Sequence, residues 1–354
     1  MSDSIRFRRA ALVVVAAALA SCAAGSDEPT GVVPVVDGGD DTLAPDGAVD
    51  DGGFNAEATP GDAPPEVVAK VWANTDDTLW QMDPTTKDVV KIGVFDGIDT
   101  DTEDMTDIAV DAEGRIFGVS ALAGTGGGNV YEITIPASGT NVAITKKRSL
   151  PSGTRFYALA FAPKGVLGAD EVMVAGDGAG TLWIVPTDGS APQKIGDFGV
   201  VKSGDPGAPS GSVSGYSWQL SGDIAFFSNA GAPVGIATVR PCTSSSCKSD
   251  DDVVIEIDMT ALATKNPTAN LKKRFIGAAS GYGRLFGIGA WNDQVFAFQR
   301  ASGSTSSPNP AALISISLAT GQGLKVRDFK EITDANNGWS GAGVTTSAKI
   351  SLPK

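Results

Sequence analysis

A four-strand pattern that recurs along residues 67–354 constrains the fold of this chain more than any other feature. Short runs in which apolar and polar residues alternate are separated by Gly, Asp, Asn and Pro, which is typical of β-strands joined by turns. Each repeat contains a run like Phe156–Pro163, one like Arg115–Ser120, one like Thr78–Met82 and one like Asp88–Phe95. We label these four strands A, B, C and D.

The two ends of the repeat region complement each other. Residues Val68–Phe95 supply strands B, C and D without an A strand, whereas Ser340–Thr346 supplies an A strand alone. Pairing them would close a ring and remove exposed sheet edges. The sequence therefore predicts an all-β fold, a β-propeller of five four-stranded blades closed by its N- and C-terminal strands. The count becomes six or seven blades if one of the predicted repeats contains more than one four-strand unit. A two-sheet sandwich or jelly roll is the alternative fold.

Turn residues support the repeat. The chain contains 44 Gly and 20 Pro, which favours turn-rich β structure over helical bundles. The turns between strands C and D begin with Asp or Pro in three of the four clearest cases, at 83–87, 136–139 and 186–189, and with Leu in the fourth, at 318–321. Gly or Lys in these turns is expected to take the left-handed backbone conformation of a short hairpin.

The run Leu79–Phe95, LWQMDPTTKDVVKIGVF, resembles bacterial extracytoplasmic propellers of the YVTN and quinoprotein-like type. In those proteins a Leu, an aromatic residue, Ile-Asp and Thr-Gly mark the third and fourth strands of a blade. The resemblance implies a fold and nothing about chemistry, because propellers carry many unrelated functions. The Trp-docking motif of true quinoproteins is not matched in the blades, so the resemblance does not extend to a quinone cofactor.

The N-terminus is typical of an export signal. Three arginines in the first nine residues precede the apolar run Ala10–Ala20, whose 11 residues are too few to span a membrane. The following Leu-Ala-Ser-Cys resembles the bacterial lipobox, which implies removal of residues 1–21 and a lipid on Cys22. An ordinary cleaved signal is the alternative. We expect an exported protein, lipid-anchored to the cell envelope, and placed at the outer membrane where the cell has two membranes because Ala23 is not Asp.

Residues 22–66 are predicted to form a disordered tether before the propeller domain at 67–354. The segment holds 11 acidic residues and no Lys or Arg, and it is too poor in apolar residues to offset its ordering entropy. The tether also explains most of the formal net charge of −14, because the net charge of residues 67–354 is only −5. With no basic stripe or nucleic-acid motif, no nucleic-acid partner is expected.

Histidine and cysteine usage limits the possible chemistry. The chain has no histidine, which excludes Ser-His-Asp and Cys-His nucleophile sites and histidine zinc sites. With Cys22 lipidated, Cys242 and Cys247 are the remaining thiols. In an oxidising compartment they are expected to form a disulfide that closes a small loop. A redox dithiol and a pair of metal ligands are the alternatives.

An acidic stretch between the first two predicted blades is the candidate metal site. Closely spaced carboxylates on a loop suit calcium, which prefers six to eight oxygen ligands. A solvated acidic loop is the alternative, and no other cofactor is expected. The candidate calcium ligands are Asp96, Asp99, Asp101, Glu103 and Asp104.

Two further groups of residues are candidates for a site. Five-blade folds resemble furanosidases and sucrases, whose axial carboxylates act as nucleophile or base and as acid. The matching candidates here are Asp107, Glu171 and Asp223, although no motif of those families surrounds them. Three tryptophans near loops or strand ends are candidates for ligand binding, with core packing as the alternative. They are Trp218, Trp291 and Trp339.

The sequence thus favours a non-enzymatic module of the cell envelope that binds a protein or a glycan through one propeller face. The alternative is a polysaccharide hydrolase or lyase that uses the axial carboxylates. A third hypothesis is a structural component of the envelope. The only other partner expected is the membrane, through the lipid on Cys22.

Overall fold

The computed structural model describes residues 70–352, except 125, 230–231, 248–250, 305–306 and 333–337. These residues belong to one compact unit of the chain, Pro64–Lys354. The export signal, Cys22 and the tether lie outside the described residues, so their predictions stay predictions. Within the described part of the chain, no helix has the length and apolarity needed to cross a membrane.

The described residues are mainly β-strands with one short helix. In chain order the elements are β1 (Val71–Asn74), β2 (Thr78–Met82), β3 (Val89–Phe95), β4 (Glu103–Val110), β5 (Ile116–Leu122), β6 (Gly128–Thr134), β7 (Asn141–Leu150), β8 (Phe156–Ala162), β9 (Val172–Asp177), β10 (Thr181–Ile184), β11 (Gln193–Asp197), β12 (Ser217–Asn229), β13 (Ala232–Cys242), β14 (Val253–Ile257), α1 (Met259–Ala263), β15 (Lys272–Phe275), β16 (Leu285–Trp291), β17 (Gln294–Gln299), β18 (Ser302–Ser304), β19 (Ser307–Asn309), β20 (Ala311–Ile316), β21 (Gly323–Phe329) and β22 (Gly341–Gly343).

The strands pair in the predicted A-B-C-D order. Five antiparallel groups of four occur among the described residues: β22-β1-β2-β3, β4 to β7, β8 to β11, β12 to β15, and β16-β17-β20-β21. The first two groups are joined into one sheet by a short parallel pairing of β3 with β7, at Val94↔Asn141 and Phe95↔Val142. The predicted all-β propeller is confirmed. The blade count stays a prediction, and the five groups are what a count of five predicts.

The chain ends pair with each other as the sequence predicted. β22 is antiparallel to β1, with Trp72↔Gly343 and Asn74↔Gly341 as the outer pairs of the register. The closing strand is shorter than the predicted Ser340–Thr346 because only three of its residues enter the ladder. Gly341 lies so close to β4 that a Cβ there would collide with Asp107, and glycine is therefore required at this approach.

The first strand of each group is the innermost one. These five strands, β22, β4, β8, β12 and β16, contact one another in cyclic order. Between the sheets the apolar faces interlock in several buried clusters. The molecule therefore has a packed centre around its axis, and the ends of the inner strands define two opposite faces.

The fourth group and the loop after β17 are less regular than the repeat predicts. The first strand of the fourth group, β12, continues through an irregularity between Leu220 and Ile224 and pairs with β13. Helix α1 lies between β14 and β15, where Asp258 accepts hydrogen bonds from the backbone N–H groups of Thr260 and Ala261. The loop Ala301–Pro310 contains the β18–β19 hairpin. Alternation with period two does not detect a helix of little more than one turn or strands of three residues.

The turn prediction is confirmed in detail. Lys87, in the turn between β2 and β3, has a φ of 65°, and Gly321, between β20 and β21, has a φ of 74°. A Cβ at Gly321 would also collide with the carbonyl oxygen of Ile276. Glycine is therefore required at position 321 both by the left-handed backbone of the hairpin and by the close approach of Ile276.

The predicted disulfide is present. Cys242, at the end of β13, is bonded to Cys247 with an S–S distance of 2.05 Å. Inside the loop, Thr243 N–H donates to the carbonyl oxygen of Ser246 at 2.8 Å. The disulfide therefore constrains the start of the connection between β13 and β14.

Removing this disulfide is expected to have a modest effect. The closed loop is short, so loop-closure entropy predicts a loss of about 2 kcal/mol in the free energy of unfolding for Cys247→Ala. Denaturant unfolding of this variant beside Ser245→Ala, an exposed change in the same loop, measures the difference. Equal stability of the two variants would contradict a stabilising role.

Candidate functional site

Charged side chains gather at the face where the innermost strands begin, which we call the upper face. Arg155 directly precedes β8 and Arg284 directly precedes β16, while Arg300 directly follows β17, the partner of β16. Asp76 lies in the turn after β1, next to the strand that closes the ring. Antiparallel pairing places the end of each second strand beside the start of the first strand, so these residues share one face.

One network of hydrogen bonds on the upper face joins three segments of the chain, through Arg300, Asp76 and Ser340. Arg300 donates from Nη1 and Nη2 to the two carboxylate oxygens of Asp76, at 3.0 and 2.9 Å. Arg300 Nη1 also donates to Ser340 Oγ at 2.7 Å, and Ser340 Oγ donates to Asp76. Asp76 and Ser340 are buried, so this two-pronged ion pair is largely shielded from water. It ties the last sheet to the first.

A second ion pair lies beside the first. Arg155 Nη2 is 3.2 Å from Asp104 Oδ2, and both side chains are about one-third exposed. Burial raises the pKa of Asp104, and the charge of Asp76 raises it further, whereas Arg155 and Arg300 lower it. The two aspartates and two arginines therefore act on one another. The ring of Tyr157, 37% exposed, lies 5.4 Å from the Arg155 guanidinium carbon.

Arg284 is unusual on this face. Its φ is 61°, a left-handed conformation that costs energy for a residue with a side chain. Its guanidinium lies 6.0 Å from the centre of the Phe286 ring, and that of Arg300 lies 5.7 Å from the same centre. Burial lowers the pKa of Arg284, and the positive charges of Arg300 and Arg240 lower it further. The Arg284 and Arg300 guanidinium groups therefore lie near the same ring, and the charge of Arg240 also acts on Arg284.

Asp252 is a carboxyl group on which the charge of Arg240 acts. It is fully buried and accepts a hydrogen bond from Leu285 N–H at 2.8 Å through Oδ2. Burial raises its pKa to about 6, although Leu285 N–H and Arg240 act in the opposite direction. The upper face therefore carries four arginines together with several carboxylates, which include Asp76, Asp104, Asp252 and Glu103, the first residue of β4.

The raised pKa of Asp252 predicts a pH dependence of stability. The folded state holds a proton on Asp252 up to about pH 6, whereas the unfolded state releases it near pH 3.8. Stability from this group is therefore largest at low pH and falls by about 2 kcal/mol as the pH rises from 4 to 7. We expect Asp252→Asn to flatten the pH profile of unfolding free energy between pH 4 and 7. An unchanged profile would contradict the assignment.

The axial carboxyl groups Asp107 and Asp223 lie together at the centre and are 0% exposed. Asp107, on β4, accepts from Leu159 N–H of β8 at 2.6 Å and from Ala342 N–H of β22 at 3.1 Å. Asp223, on β12, accepts from Ile288 N–H of β16 at 2.5 Å. The pair thus connects the innermost strands of all five groups.

The carboxyl groups of Asp107 and Asp223 share a proton. Burial raises the pKa of Asp107 well above its ordinary value, and the charge of Asp223 raises it further. Burial likewise raises the pKa of Asp223. Two touching carboxyl groups out of contact with water cannot both be ionised. With their oxygens held by backbone N–H donors, they join strands and have no free path to a substrate.

Glu171 does not join the axial pair. It lies at the opposite, lower face, where its Oε2 accepts from Ala112 N–H at 2.8 Å and its Oε1 accepts from the Thr346 hydroxyl. It borders an open groove of about 540 Å³ that also contains Arg115 and Lys164. The predicted set of three axial carboxylates is therefore a buried pair and one separate residue.

The five predicted calcium ligands are divided among different contacts. Asp96, Asp99 and Asp101 are exposed in the loop before β4. Glu103 accepts from Asn129 Nδ2 at 2.7 Å and from Tyr131 OH at 3.0 Å, while Asp104 pairs with Arg155. Among the described residues no group of three or more Asp, Glu, Cys or His side chains is placed to hold a metal ion. The geometry of the described residues therefore does not support the calcium site. The assignment of these five residues as calcium ligands stays a prediction.

Two of the three predicted ligand-binding tryptophans lie in the core instead. Trp218 and Trp339 are 0% exposed, because their large rings fill space between sheets. Trp339 makes edge contacts with Trp80, Phe298 and Phe329, at ring-centre distances of 6.0, 5.3 and 5.3 Å. Trp291 is partly buried against the same cluster. In this structure a ligand reaches neither Trp218 nor Trp339.

Sequence reasoning missed the four arginines of the upper face. They are widely spaced along the chain, so no local cluster marks them. One signal was available: Arg155 and Arg284 both occupy the residue before the first residue of an inner strand. A comparison of the repeats at that boundary would have placed two arginines at equivalent points of two blades.

Comparisons with known proteins do not assign the chain to a family. No family model matches it, and no curated protein matches it. Similar solved structures include a nidogen/laminin complex, with 9% identity, a TM-score of 0.41 and coverage of 79% of this chain and 99% of that one. Another is the Dos1 propeller, with 10% identity, a TM-score of 0.30 and coverage of 70% and 54%.

A third similar structure is Sqt1 of Chaetomium thermophilum bound to the N-terminus of a ribosomal protein. It has 13% identity, a TM-score of 0.28 and coverage of 74% of this chain and 61% of that one. At such scores these similarities carry no argument about function. The propeller rests on this chain's own strand order and closure.

Proposed function

We propose that this protein is a non-enzymatic binding module of the cell envelope whose upper face holds a protein or glycan partner. The observation that carries the proposal is the cluster at the axis of the upper face, where Arg155, Arg284 and Arg300 lie partly exposed beside aromatic rings. Arginine and tyrosine beside one another are typical of recognition surfaces. The lipid on Cys22 and the acidic tether at 22–66 would hold this surface away from a membrane.

The polysaccharide hydrolase or lyase is less favoured by the geometry. Such an enzyme needs two carboxyl groups that reach a sugar from opposite sides. Here Asp107 and Asp223 touch each other, are fully buried and accept backbone hydrogen bonds. Glu171, the third candidate, binds backbone and hydroxyl groups at the lower face.

A thermal-unfolding screen of the full chain against envelope and environmental glycans, together with capture of protein partners, tests the proposal. A ligand at about 100 times its Kd adds roughly 2.7 kcal/mol to the stability of the folded state. We expect a hit whose effect is lost in Arg155→Glu and retained in Arg115→Glu, which changes the same charge at the lower face. Turnover of a glycan by the purified protein would contradict a purely binding function.

A further inference from the structure

The Arg284 guanidinium is the positive charge of the upper face that lacks a matching negative one. Arg300 is bound through two nitrogens to Asp76, Arg155 is bound to Asp104, and Arg240 lies near Asp252. Among the described residues, the charged groups that act on Arg284 are two further arginines, Arg240 and Arg300. Like charges that crowd together in partly buried surroundings are unfavourable unless an anion neutralises them.

Two neighbouring arginines also have unused hydrogen-bond donors. The Nε atoms of Arg155 and Arg240 are buried, and neither has a hydrogen-bond partner among the described residues. A buried donor without a partner costs about 1–3 kcal/mol. The arginines thus have more donor capacity than the aspartates around them use.

Backbone strain marks the same place. Arg284 holds a left-handed backbone conformation between Gly283 and the first residue of β16. Strained residues of this kind persist where the surrounding structure fixes them, and they gather at ligand sites. The conformation places the guanidinium against Phe286, next to that of Arg300 on the same ring.

We infer that the upper face binds one carboxylate group at Arg284, with Arg240 and Arg300 on either side of it. This inference rests on the proposed binding function and names the chemistry that the partner presents. The flat guanidinium fork matches a carboxylate through two parallel hydrogen bonds. The carboxylates already present on this face, Asp76, Asp104 and Asp252, would repel a phosphate dianion more strongly than a monoanion, so a monoanion fits better.

The carboxylate can come from a sugar acid or from an acidic amino acid, and small probes separate the two. Galacturonate and the α-amide of N-acetylglutamate, each with one carboxylate, are titrated against the full chain by calorimetry at low salt, with galactose and the α-amide of N-acetylglutamine as neutral counterparts. We expect at least one acid to bind ten times more tightly than its neutral counterpart. The affinity should fall with added salt, because the attraction is between charges near the surface.

Variants locate the site. Arg284→Gln is expected to weaken binding of the acid at least tenfold, and Arg284→Lys to give an intermediate loss because the charge stays and the fork is lost. Arg115→Gln removes the same charge at the lower face and should leave the affinity within twofold. A thermal melt of each variant confirms that it is folded.

Three results would overturn the inference: equal binding of acids and neutral probes, full affinity in Arg284→Gln, or tighter binding of inorganic phosphate than of either acid. The proposed function is judged separately. A partner that binds the wild type and Arg284→Gln equally would refute the carboxylate site and leave the binding function intact. Binding of the acids by a chain for which no protein or glycan partner is found would support the carboxylate site and refute the proposed binding function.

Discussion

Replacing Asp107 by alanine is expected to lower the free energy of unfolding by about 3–5 kcal/mol. The change removes the acceptor of two buried backbone N–H groups, Leu159 and Ala342, from strands β8 and β22. Each buried donor left without a partner costs about 1–3 kcal/mol. The loss corresponds to a fall of roughly 5–8 °C in Tm for a domain of this size. Calorimetric melting of the variant beside the wild type measures it.

Asp170→Ala is the matched control, because it removes the same type of residue from an exposed site at the lower face. Its effect should stay within about 0.5 kcal/mol. Asp107→Asn is expected to be intermediate, because an amide keeps the size of the side chain but offers one acceptor oxygen where Asp offers two. Equal melting of Asp107→Ala and Asp170→Ala would show that the axial pair does not hold the inner strands together.

The same variants separate a structural role from a catalytic one. A catalytic Asp107 would lose turnover in Asp107→Asn while the melting temperature stayed near that of the wild type. A structural Asp107 would lose stability first, together with any property that depends on the arrangement of the blades. The two hydrogen bonds to neighbouring inner strands favour the second result.

Replacing Trp339 by alanine is expected to cost about 3–5 kcal/mol as well. The side chain is 0% exposed and touches the rings of Trp80, Phe298 and Phe329, which come from the first and last sheets. Removing a large buried ring loses its transfer free energy and leaves a cavity. Those sheets meet where the ring of blades closes, so the lost free energy of unfolding comes from contacts that stabilise the closure. Denaturant unfolding of the variant measures it.

Trp291→Ala provides the comparison for this second prediction. Trp291 is only partly buried against the same cluster, so a smaller loss of roughly 1–2 kcal/mol is expected. If Trp339→Ala kept the stability of the wild type and lost binding of a ligand, the ring would belong to a recognition surface. That result would restore the ligand-binding role that the sequence suggested for Trp339.

Several features of the fold could be predicted from the sequence because they are encoded locally. Alternation with period two identifies strands such as β8 and β2, and turn residues such as Lys87 separate them. The missing A strand at one end and the extra A strand at the other predicted the pairing of β22 with β1. The disulfide was predicted from two cysteines with a workable gap between them and from the expected oxidising compartment, and the structure contains it.

The candidate site could be predicted less well, because it depends on residues far apart in the chain. Asp107 and Asp223 were correctly singled out as inner-strand carboxylates, but their contact and their hydrogen bonds to β8, β16 and β22 arise only in the closed ring. Trp218 and Trp339 stand near loops in the sequence and are nevertheless buried. Burial is a property of the assembled sheets, and proximity to a loop does not reveal it.

The sequence by itself predicted the closed set of four-stranded units that the described residues form, since side-chain alternation, turn residues and unmatched chain ends act locally or pairwise. The tertiary structure alone decided what the charged residues do. Closure places Asp107 and Asp223 out of contact with water, where they hold strands together. It also gathers Arg240, Arg284 and Arg300 at the upper face, and their mutual repulsion exists only because the ring brings them together.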